Sequence, residues 1–192
     1  LNRPQQKNAL TGPLLVQLLA GLQKLVADES CHVIVLRGAG DCFCAGLDVN
    51  AFFSDQKPQW LTHFSEDLLA LHEAIYRCQK PLVAALQRYA IAGGSALALA
   101  CDFLVVGKDA FLHVSEVERG MAAPHNVAWL TLKYGRVRAM ELVLLGQRIY
   151  GPQLLEQGMA TLCVEDTEVL KQSFSLAQRL AEFKPAALTG LK

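Results

Sequence analysis

Apolar residues along the chain follow two patterns, a helical stripe and a short continuous run. After Thr11 and Pro13, apolar side chains recur every three or four positions as far as Val26, which predicts an amphipathic helix with a capped start. A second helical stripe runs from Pro58 to Ile75. Similar patterns, separated by glycines, predict further helices at 126–134, 136–145, 152–157 and 168–183.

Continuous apolar runs of four or five residues are typical of strands that are buried on both faces. The chain has such runs at 33–36, 82–86 and 103–106. Gly93-Gly94 leads into an alanine-rich apolar segment that ends at Cys101, which predicts a buried helix. Strands that alternate with helices, without a repeat or a polar linker, predict an α/β fold and a single domain over residues 1–192.

The charge balance narrows the range of partners. Lysine plus arginine and aspartate plus glutamate each number 18, so no long-range field attracts nucleic acid or anionic lipid. The opening Leu1-Asn2-Arg3-Pro4 lacks the sectors of a signal peptide, and no apolar run reaches membrane-spanning length. We therefore expect a cytoplasmic protein that binds a small molecule and has neither a nucleic-acid nor a membrane partner.

The six cysteines lie mostly in apolar stretches without paired CxxC spacing, which favours reduced thiols in the core. Cys42 and Cys44 could begin a metal site, but no second pair follows at the spacing of zinc ligands. We therefore expect no metal site and no tightly bound cofactor.

Two glycine-bearing segments, Ala45-Gly46-Leu47-Asp48 and Ala92-Gly93-Gly94, each follow a predicted buried strand. Glycine lets a ligand approach the main chain closely. The second segment also begins a helix, whose first N–H groups have no partner inside the helix and favour negative charge. An anion or a developing oxyanion is therefore the expected ligand. The alternative is a tight strand-to-helix turn that packing requires.

Several stretches occur in the order and at the spacing of one enzyme family. They are Leu1-Asn2-Arg3-Pro4 with Lys7-Asn8-Ala9-Leu10, Phe43-Cys44-Ala45-Gly46-Leu47-Asp48, Lys80-Pro81, Ala92-Gly93-Gly94, and Leu99-Ala100-Cys101-Asp102. The chain thereby resembles the enoyl-CoA hydratase/isomerase family of the crotonase superfamily, and the resemblance extends through Ser115-Glu116 to Gly146.

The resemblance implies a crotonase-like spiral of repeated ββα units that binds an acyl-CoA thioester, with coenzyme A present only as part of the substrate. It also implies a homotrimer or a dimer of trimers. From the family pattern we expect the chain to begin after the family's first strand and to end, at Leu191-Lys192, before the C-terminal trimerisation helices.

The resemblance further implies an oxyanion hole formed by the backbone N–H groups of Leu47 and Gly93. Main-chain donors leave the side chain free, so leucine at position 47 is compatible with this role. The residues expected to contact substrate are Lys7, Ala45, Gly46, Leu47, Asp48, Val49, Gly93 and Gly94. For Asp48 a helix cap is the alternative role. For Arg3 and Lys7, pairing with CoA phosphates competes with a solvated surface position.

The acid/base groups depart from the hydratase pattern. The resemblance implies that hydratases of the family use two glutamates. In this chain Ala96 stands at the position of the first glutamate, and Glu116 stands at the position of the second. One carboxylate suffices to move a proton between two carbons, whereas adding water benefits from two groups. This favours a 3,2-enoyl-CoA isomerase with Glu116 as its acid/base. Hydration or dehydration, decarboxylation and a catalytically silent CoA-binding protein are the alternatives.

Other interpretations of the same residues stay open at this point. Ser115 with Glu118 could form a capping box, with Glu116 as a first-turn acid or a partner of Arg119. His113 and His125 are alternative bases. Ser95 with a histidine would indicate a serine hydrolase, although glycine is absent two residues after that serine.

Overall fold

The computed structural model describes residues 1–192, and its seven strands form two sheets. The strands are β1 (Ile34–Arg37), β2 (Leu82–Leu86), β3 (Tyr89–Ile91), β4 (Phe103–Gly107), β5 (Phe111–His113), β6 (Arg148–Tyr150) and β7 (Leu162–Val164). The larger sheet has the order β1-β2-β4-β7 and is parallel throughout. In the smaller sheet, β3 pairs parallel with β5, which pairs antiparallel with β6.

Helices cover the larger sheet and connect its strands. They are α1 (Gly12–Ala27), α2 (Val49–Phe52), α3 (Phe64–Tyr76), α4 (Gly93–Ala100), α5 (Pro124–Tyr134), α6 (Arg136–Leu145), α7 (Gly151–Glu156), α8 (Val169–Ala181) and α9 (Pro185–Leu191). Short 3-10 turns occupy Pro4–Gln6, Gln59–Thr62, Glu116–Arg119 and Asp166–Glu168. None of the helices combines the length and apolar character that crossing a membrane requires.

The larger sheet is buried on both faces, which explains its continuous apolar runs. Ala84 of β2 lies in the main hydrophobic core, whereas its neighbours Val83 and Ala85 lie in a second cluster with Leu176 of α8. Side chains alternate between the two faces of a strand, so a strand covered on both sides needs an apolar residue at every position. All five residues of β2 are accordingly buried.

Pairing in the smaller sheet brings two distant parts of the chain to one edge. Ile91 of β3 lies opposite His113 of β5 in parallel register. Because both strands run in the same direction, the segments that follow them emerge at the same end of the sheet. The start of α4 at Gly93 and the turn that carries Glu116 are therefore neighbours.

The α/β fold predicted from the sequence is confirmed, and the three predicted strands match β1, β2 and β4 to within about one residue. The helix predicted from Pro58 is wrong in its first turn, because Gln59–Thr62 is a 3-10 turn and α3 begins only at Phe64. The strands β3, β5, β6 and β7 were not predicted. Each has three residues, which is too short to show a periodic pattern.

Candidate active site

The two glycine-bearing segments lie side by side and are joined by main-chain hydrogen bonds. The N–H of Cys44 donates to the carbonyl of Tyr89 over 3.2 Å, and the N–H of Ile91 donates to the carbonyl of Cys44 over 3.0 Å. On the other side, Leu10 donates to Gly46 over 2.7 Å and accepts from Asp48 over 3.0 Å. The segment that leads to Leu47 is thus held between two other stretches of backbone.

Gly46 and Gly94 allow this close approach between the segments. A Cβ on Gly46, whose φ is +85°, would lie 2.7 Å from the carbonyl oxygen of Ile91. A Cβ on Gly94 would lie 2.7 Å from the carbonyl oxygen of Cys44 and 2.9 Å from its sulfur. Packing of one segment against the other therefore accounts for these two glycines. At Gly93 an added Cβ would meet only Leu10 Cδ1, at 3.0 Å.

The N–H groups of Leu47 and Gly93 donate no hydrogen bond within the protein. Both residues are half-buried, so a ligand can reach them. The preceding residue, Ala92, has a φ of 50° and a ψ of −120°, a conformation that non-glycine residues rarely adopt. Its N–H donates to the carbonyl of His113 over 2.8 Å, which ties the start of α4 to the end of β5. The protein thus holds two free main-chain donors on adjoining segments.

Glu116 is buried in the 3-10 turn that follows β5, with 9% of its surface exposed. Its Oε1 accepts a hydrogen bond of 2.9 Å from Asn126 Nδ2, while its Oε2 is buried without a partner. Burial raises the pKa of this carboxyl above its usual value, and the Asn126 hydrogen bond and the charges of His113 and Arg119 oppose that rise. A raised pKa brings a carboxyl closer to neutral pH, where it can both take and return a proton.

The capping box considered for Ser115 and Glu118 is not formed, although Glu116 does lie in the first turn of the 3-10 segment. The side chain of Ser115 makes no capping hydrogen bond. Glu118 Oε1 instead lies 3.1 Å from His113 Nε2 and its side chain is half exposed. Arg119 makes no ion pair with Glu116. Of the two neighbouring glutamates, only Glu116 presents a buried, unbonded carboxylate oxygen.

Neither histidine considered as a base bonds to Glu116. His113 Nε2 lies 2.9 Å from the carbonyl of Gly146, so this nitrogen carries the proton and donates it to that acceptor. The ring of His125 stacks on His72 with centroids 4.4 Å apart, and burial lowers the pKa values of both, that of His72 to about 3. Trp129 in turn donates to His72 Nδ1 over 2.9 Å. These rings are held by structural contacts.

A serine hydrolase site is not formed either. Ser95 is fully buried, and its hydroxyl donates to the carbonyls of Ala90 at 2.8 Å and His113 at 3.0 Å. It therefore bonds the backbone of His113 and not its ring. A nucleophilic serine needs a base within hydrogen-bond reach of its hydroxyl, and that base is missing here.

An open cavity of about 890 Å³ adjoins this region, and we call it the outer cavity. Of the predicted substrate-contacting residues, Lys7, Ala45, Leu47, Asp48 and Val49 line it, whereas Gly46, Gly93 and Gly94 do not. The predicted acid/base Glu116 does not line it either. Its wall also carries three arginines and three aromatic residues, Arg88, Arg119, Arg148, Tyr89, Phe111 and Tyr150. We call the group Leu47, Gly93, Glu116 and Asn126 the inner site. Leu47 belongs to both regions.

Asp48 and Arg3 are engaged with the protein itself. Asp48 Oδ1 accepts from the N–H of Ala51 over 3.3 Å, so its predicted role as the cap of α2 is confirmed. Its Oδ2 lies 3.1 Å from Arg3 Nη1, which also donates to the carbonyl of Ala9 over 2.8 Å. Arg3 therefore stabilises this loop and does not line the outer cavity, while Lys7 is exposed on its wall.

The cysteines are free thiols, and no group of three or more histidine, cysteine or acidic residues is placed to hold a metal ion. Cys44 is fully buried and donates to the carbonyl of Asn8 over 3.2 Å. Burial raises the pKa of its thiol to about 12, which suppresses the reactive thiolate. Cys44 thus serves packing of the glycine-bearing segments.

The structure adds Asn126 to the candidate site. Asn126 is buried in the first turn of α5, and its Nδ2 contacts both Glu116 Oε1 and the carbonyl of Ala92, the latter at 3.1 Å. A proline at the first position of a helix is common, and Asn126 two residues later forms no local motif, so the sequence carried little signal for its contacts.

Comparison with known proteins agrees with this fold. The family model described as "Enoyl-CoA hydratase/isomerase" matches residues 1–192. The chain is 30% identical over 205 residues to the mitochondrial Delta(3,5)-Delta(2,4)-dienoyl-CoA isomerase of Rattus norvegicus, covering all of this chain and 63% of that protein. The chain therefore spans somewhat less than two thirds of that relative's length.

Two solved structures show the same fold. An enoyl-CoA hydratase from Bacillus anthracis is 28% identical and superposes with a TM-score of 0.90, over 98% of this chain and 74% of that one. A monofunctional enoyl-CoA isomerase from M. smegmatis is also 28% identical, with a TM-score of 0.81 over 97% of this chain and 80% of that one. On the full-length family match and this shared architecture, the chain belongs to the enoyl-CoA hydratase/isomerase family of the crotonase superfamily.

Proposed function

We propose that this chain catalyses the isomerisation of a 3-enoyl-CoA to a 2-enoyl-CoA. The observation that carries the proposal is the single buried carboxylate of the inner site, Glu116, whose Oε2 is free of protein partners. In this reaction Glu116 removes a proton from the α carbon, the double bond shifts, and the same group returns the proton to the γ carbon. The electron pair rests on the thioester oxygen between the two steps.

The free N–H groups of Leu47 and Gly93 would stabilise that oxygen. Removing the α proton places negative charge on the thioester carbonyl oxygen, and each donor already aimed at such an oxygen lowers the barrier by about 3 kcal/mol. Both donors belong to main chain that is tied to its neighbours, so they need little reorganisation during the reaction.

The surroundings supply no second acid to assist the addition of water. The resemblance implies that hydratases of the family carry a glutamate at the position of Ala96 on α4. Here this residue is a fully buried alanine. Glu118 is turned to His113, and Asp48 is paired with Arg3. An isomerase needs one group that moves a proton between two carbons, and Glu116 meets that need.

The outer cavity supports a place for the CoA arm. Its volume of about 890 Å³ falls in the range that drug-sized ligands occupy in proteins. Ala45, Leu47 and Val49 contribute apolar side chains to its wall, while Lys7 brings positive charge for the phosphates. Coenzyme A would thus enter only as part of the substrate. Assembly as a homotrimer or a dimer of trimers stays a prediction.

A catalytically silent CoA-binding protein is the second candidate. It is favoured by one observation, that Gly93 and Glu116 do not line the outer cavity. Such a protein would hold the CoA arm without bringing the acyl group to the carboxylate.

One experiment separates these functions. The purified protein would be incubated in deuterated water with a panel of 2-enoyl, 3-enoyl, 3-hydroxyacyl and malonyl thioesters, and the products identified by mass and retention time. We expect 3-enoyl and 2-enoyl thioesters to interconvert and to gain deuterium at the α or γ carbon. Hydrated or decarboxylated products would overturn the isomerase proposal, and CoA binding without any exchange would favour the silent protein.

A further inference from the structure

We propose that Asn126 is a positioning residue of the inner site. Its one side-chain amide fixes the orientation of both the Gly93 N–H and the Glu116 carboxylate, which are the two halves of the site. The inference rests on the proposed function and deepens it. Asn126 Nδ2 lies 3.1 Å from the carbonyl oxygen of Ala92 and 2.9 Å from Glu116 Oε1. Each hydrogen of one NH₂ group is thus assigned to a different half of the site.

The orientation of this amide follows from its partners. A backbone carbonyl and a carboxylate oxygen are both acceptors, so only the nitrogen of Asn126 can face them. Its Oδ1 is buried without a partner. The side chain therefore acts on the site entirely through donation by Nδ2. A flipped amide would place oxygen against oxygen and lose both bonds.

The bond to Ala92 orients the donor at Gly93. In a trans peptide the C=O and the N–H of one unit point in opposite directions, and the chain has no cis bond. Holding the Ala92 carbonyl toward Asn126 therefore turns the Gly93 N–H away from Asn126. The same carbonyl accepts the N–H of Ala96 over 3.2 Å, so the Asn126 bond adds a second constraint on it. The φ of 50° and ψ of −120° of Ala92 are costly for a residue with a side chain, and such a conformation persists only where the surroundings hold it.

The bond to Glu116 selects one oxygen of the carboxylate. Oε1 is held by Asn126, which leaves Oε2 as the oxygen that can exchange a proton with substrate. Donation to Oε1 also favours the ionised form, against the effect of burial. The other charged groups that face this carboxylate are His113 at the end of β5 and Arg119 on the same turn.

The first test compares Asn126→Ala with Ser173→Ala under steady-state kinetics. Ser173 is also a fully buried polar residue that bonds the backbone, but it lies on α8, outside the site. We expect N126A to lower kcat by about tenfold or more while KM changes little, because orientation is lost and binding is not. The acidic limb of its pH profile should move to higher pH. S173A should show neither change. Equal effects in both variants would overturn the proposal.

The second test measures the pKa of Glu116 in the absence of turnover. Carbon-13 NMR of the side-chain carboxyl, assigned with Glu116→Gln, would follow its titration in the wild-type protein and in N126A. We expect the pKa of Glu116 to rise in N126A and the Gly93 amide signal to shift. An unchanged pKa would reject the role of Asn126, whatever reaction the protein catalyses. A raised pKa in a protein that turns over none of the thioesters would reject only the proposed function.

Asn126→Asp gives a second variant of nearly the same shape if the alanine variant folds poorly. An ionised aspartate cannot donate to either acceptor and adds a like charge beside Glu116, so both the loss of kcat and the upward shift of the limb should exceed those of N126A. Normal kinetics in N126D would contradict the proposal.

Discussion

The inner site and the outer cavity differ in how each polar group is held. In the inner site, Glu116 and Asn126 are buried and are joined by one hydrogen bond of 2.9 Å. In the outer cavity, Lys7 is exposed and faces open solvent. We therefore expect the proton transfer, which depends on exact positioning of the reacting groups, to take place in the inner site. The binding energy should be spread over the wall of the outer cavity. Leu47 lies in both, where its N–H joins the two tasks.

The largest effect is expected from a comparison of two glutamates separated by one residue. Glu116→Gln should reduce kcat by about 10²–10⁴-fold because it removes the only acid/base of the inner site. Glu118→Gln removes a half-exposed carboxylate that contacts His113, and we expect only a small change. Steady-state turnover of a 3-enoyl thioester and calorimetric CoA binding would measure both. If E116Q keeps its activity, the base has been assigned wrongly.

A smaller effect should follow from crowding the packed segments. Gly94→Ala places a Cβ 2.8 Å from Cys44 Cβ and should lower the free energy of unfolding by about 1–3 kcal/mol, with loss of activity, because the two donor segments are forced apart. Urea denaturation followed by circular dichroism would measure the change.

Gly21→Ala in α1 is the matched control for that variant. Nothing lies within 4 Å of the added Cβ there. Replacing an unstrained helical glycine should stabilise the protein slightly, by about 0.5–1 kcal/mol. If the two alanine variants prove equally stable, the close approach at Gly94 does not hold the segments together.

The smallest effect is expected at the outer cavity. Lys7→Ala should raise KM by about two- to fivefold at low salt and leave kcat unchanged, because an exposed charge contributes little and is screened. Lys24→Ala on the exposed surface of α1 serves as the control. A loss of kcat in K7A would show that the two regions are not separate in function.

The sequence predicted the larger sheet well and the inner site only in part. Strands such as β2 are buried on both faces, so their uninterrupted apolar run carries the information directly. Asp48 as a cap is a local feature, and local chemistry can be read from neighbouring residues. The roles proposed for Leu47, Gly93 and Glu116 came from the family resemblance. The structure adds that the N–H groups of Leu47 and Gly93 and Oε2 of Glu116 have no hydrogen-bond partner in the protein.

The remaining features depend on contacts between distant residues. The three-residue strands β3 and β5 exist because they pair with each other, and neither run shows this in isolation. Asn126 bonds to residues 34 and 10 positions away, so its contacts become visible only after folding. The need for glycine at positions 46 and 94 likewise arises from the facing segment. Hydrophobic periodicity and local motifs carry no information about these contacts between distant residues.

Two isolated bridges, one between Leu10 and Leu47 and one between Cys44 and Ala90 of β3, make activity a reporter of local opening. The two proposed donors, at Leu47 and Gly93, lie on two stretches of chain that are linked to each other and to Leu10 by only a few main-chain hydrogen bonds outside the regular elements. Loosening these links would misalign the donors while the helices and the larger sheet stay intact. In a mild denaturant, turnover should therefore decline before the circular dichroism signal does.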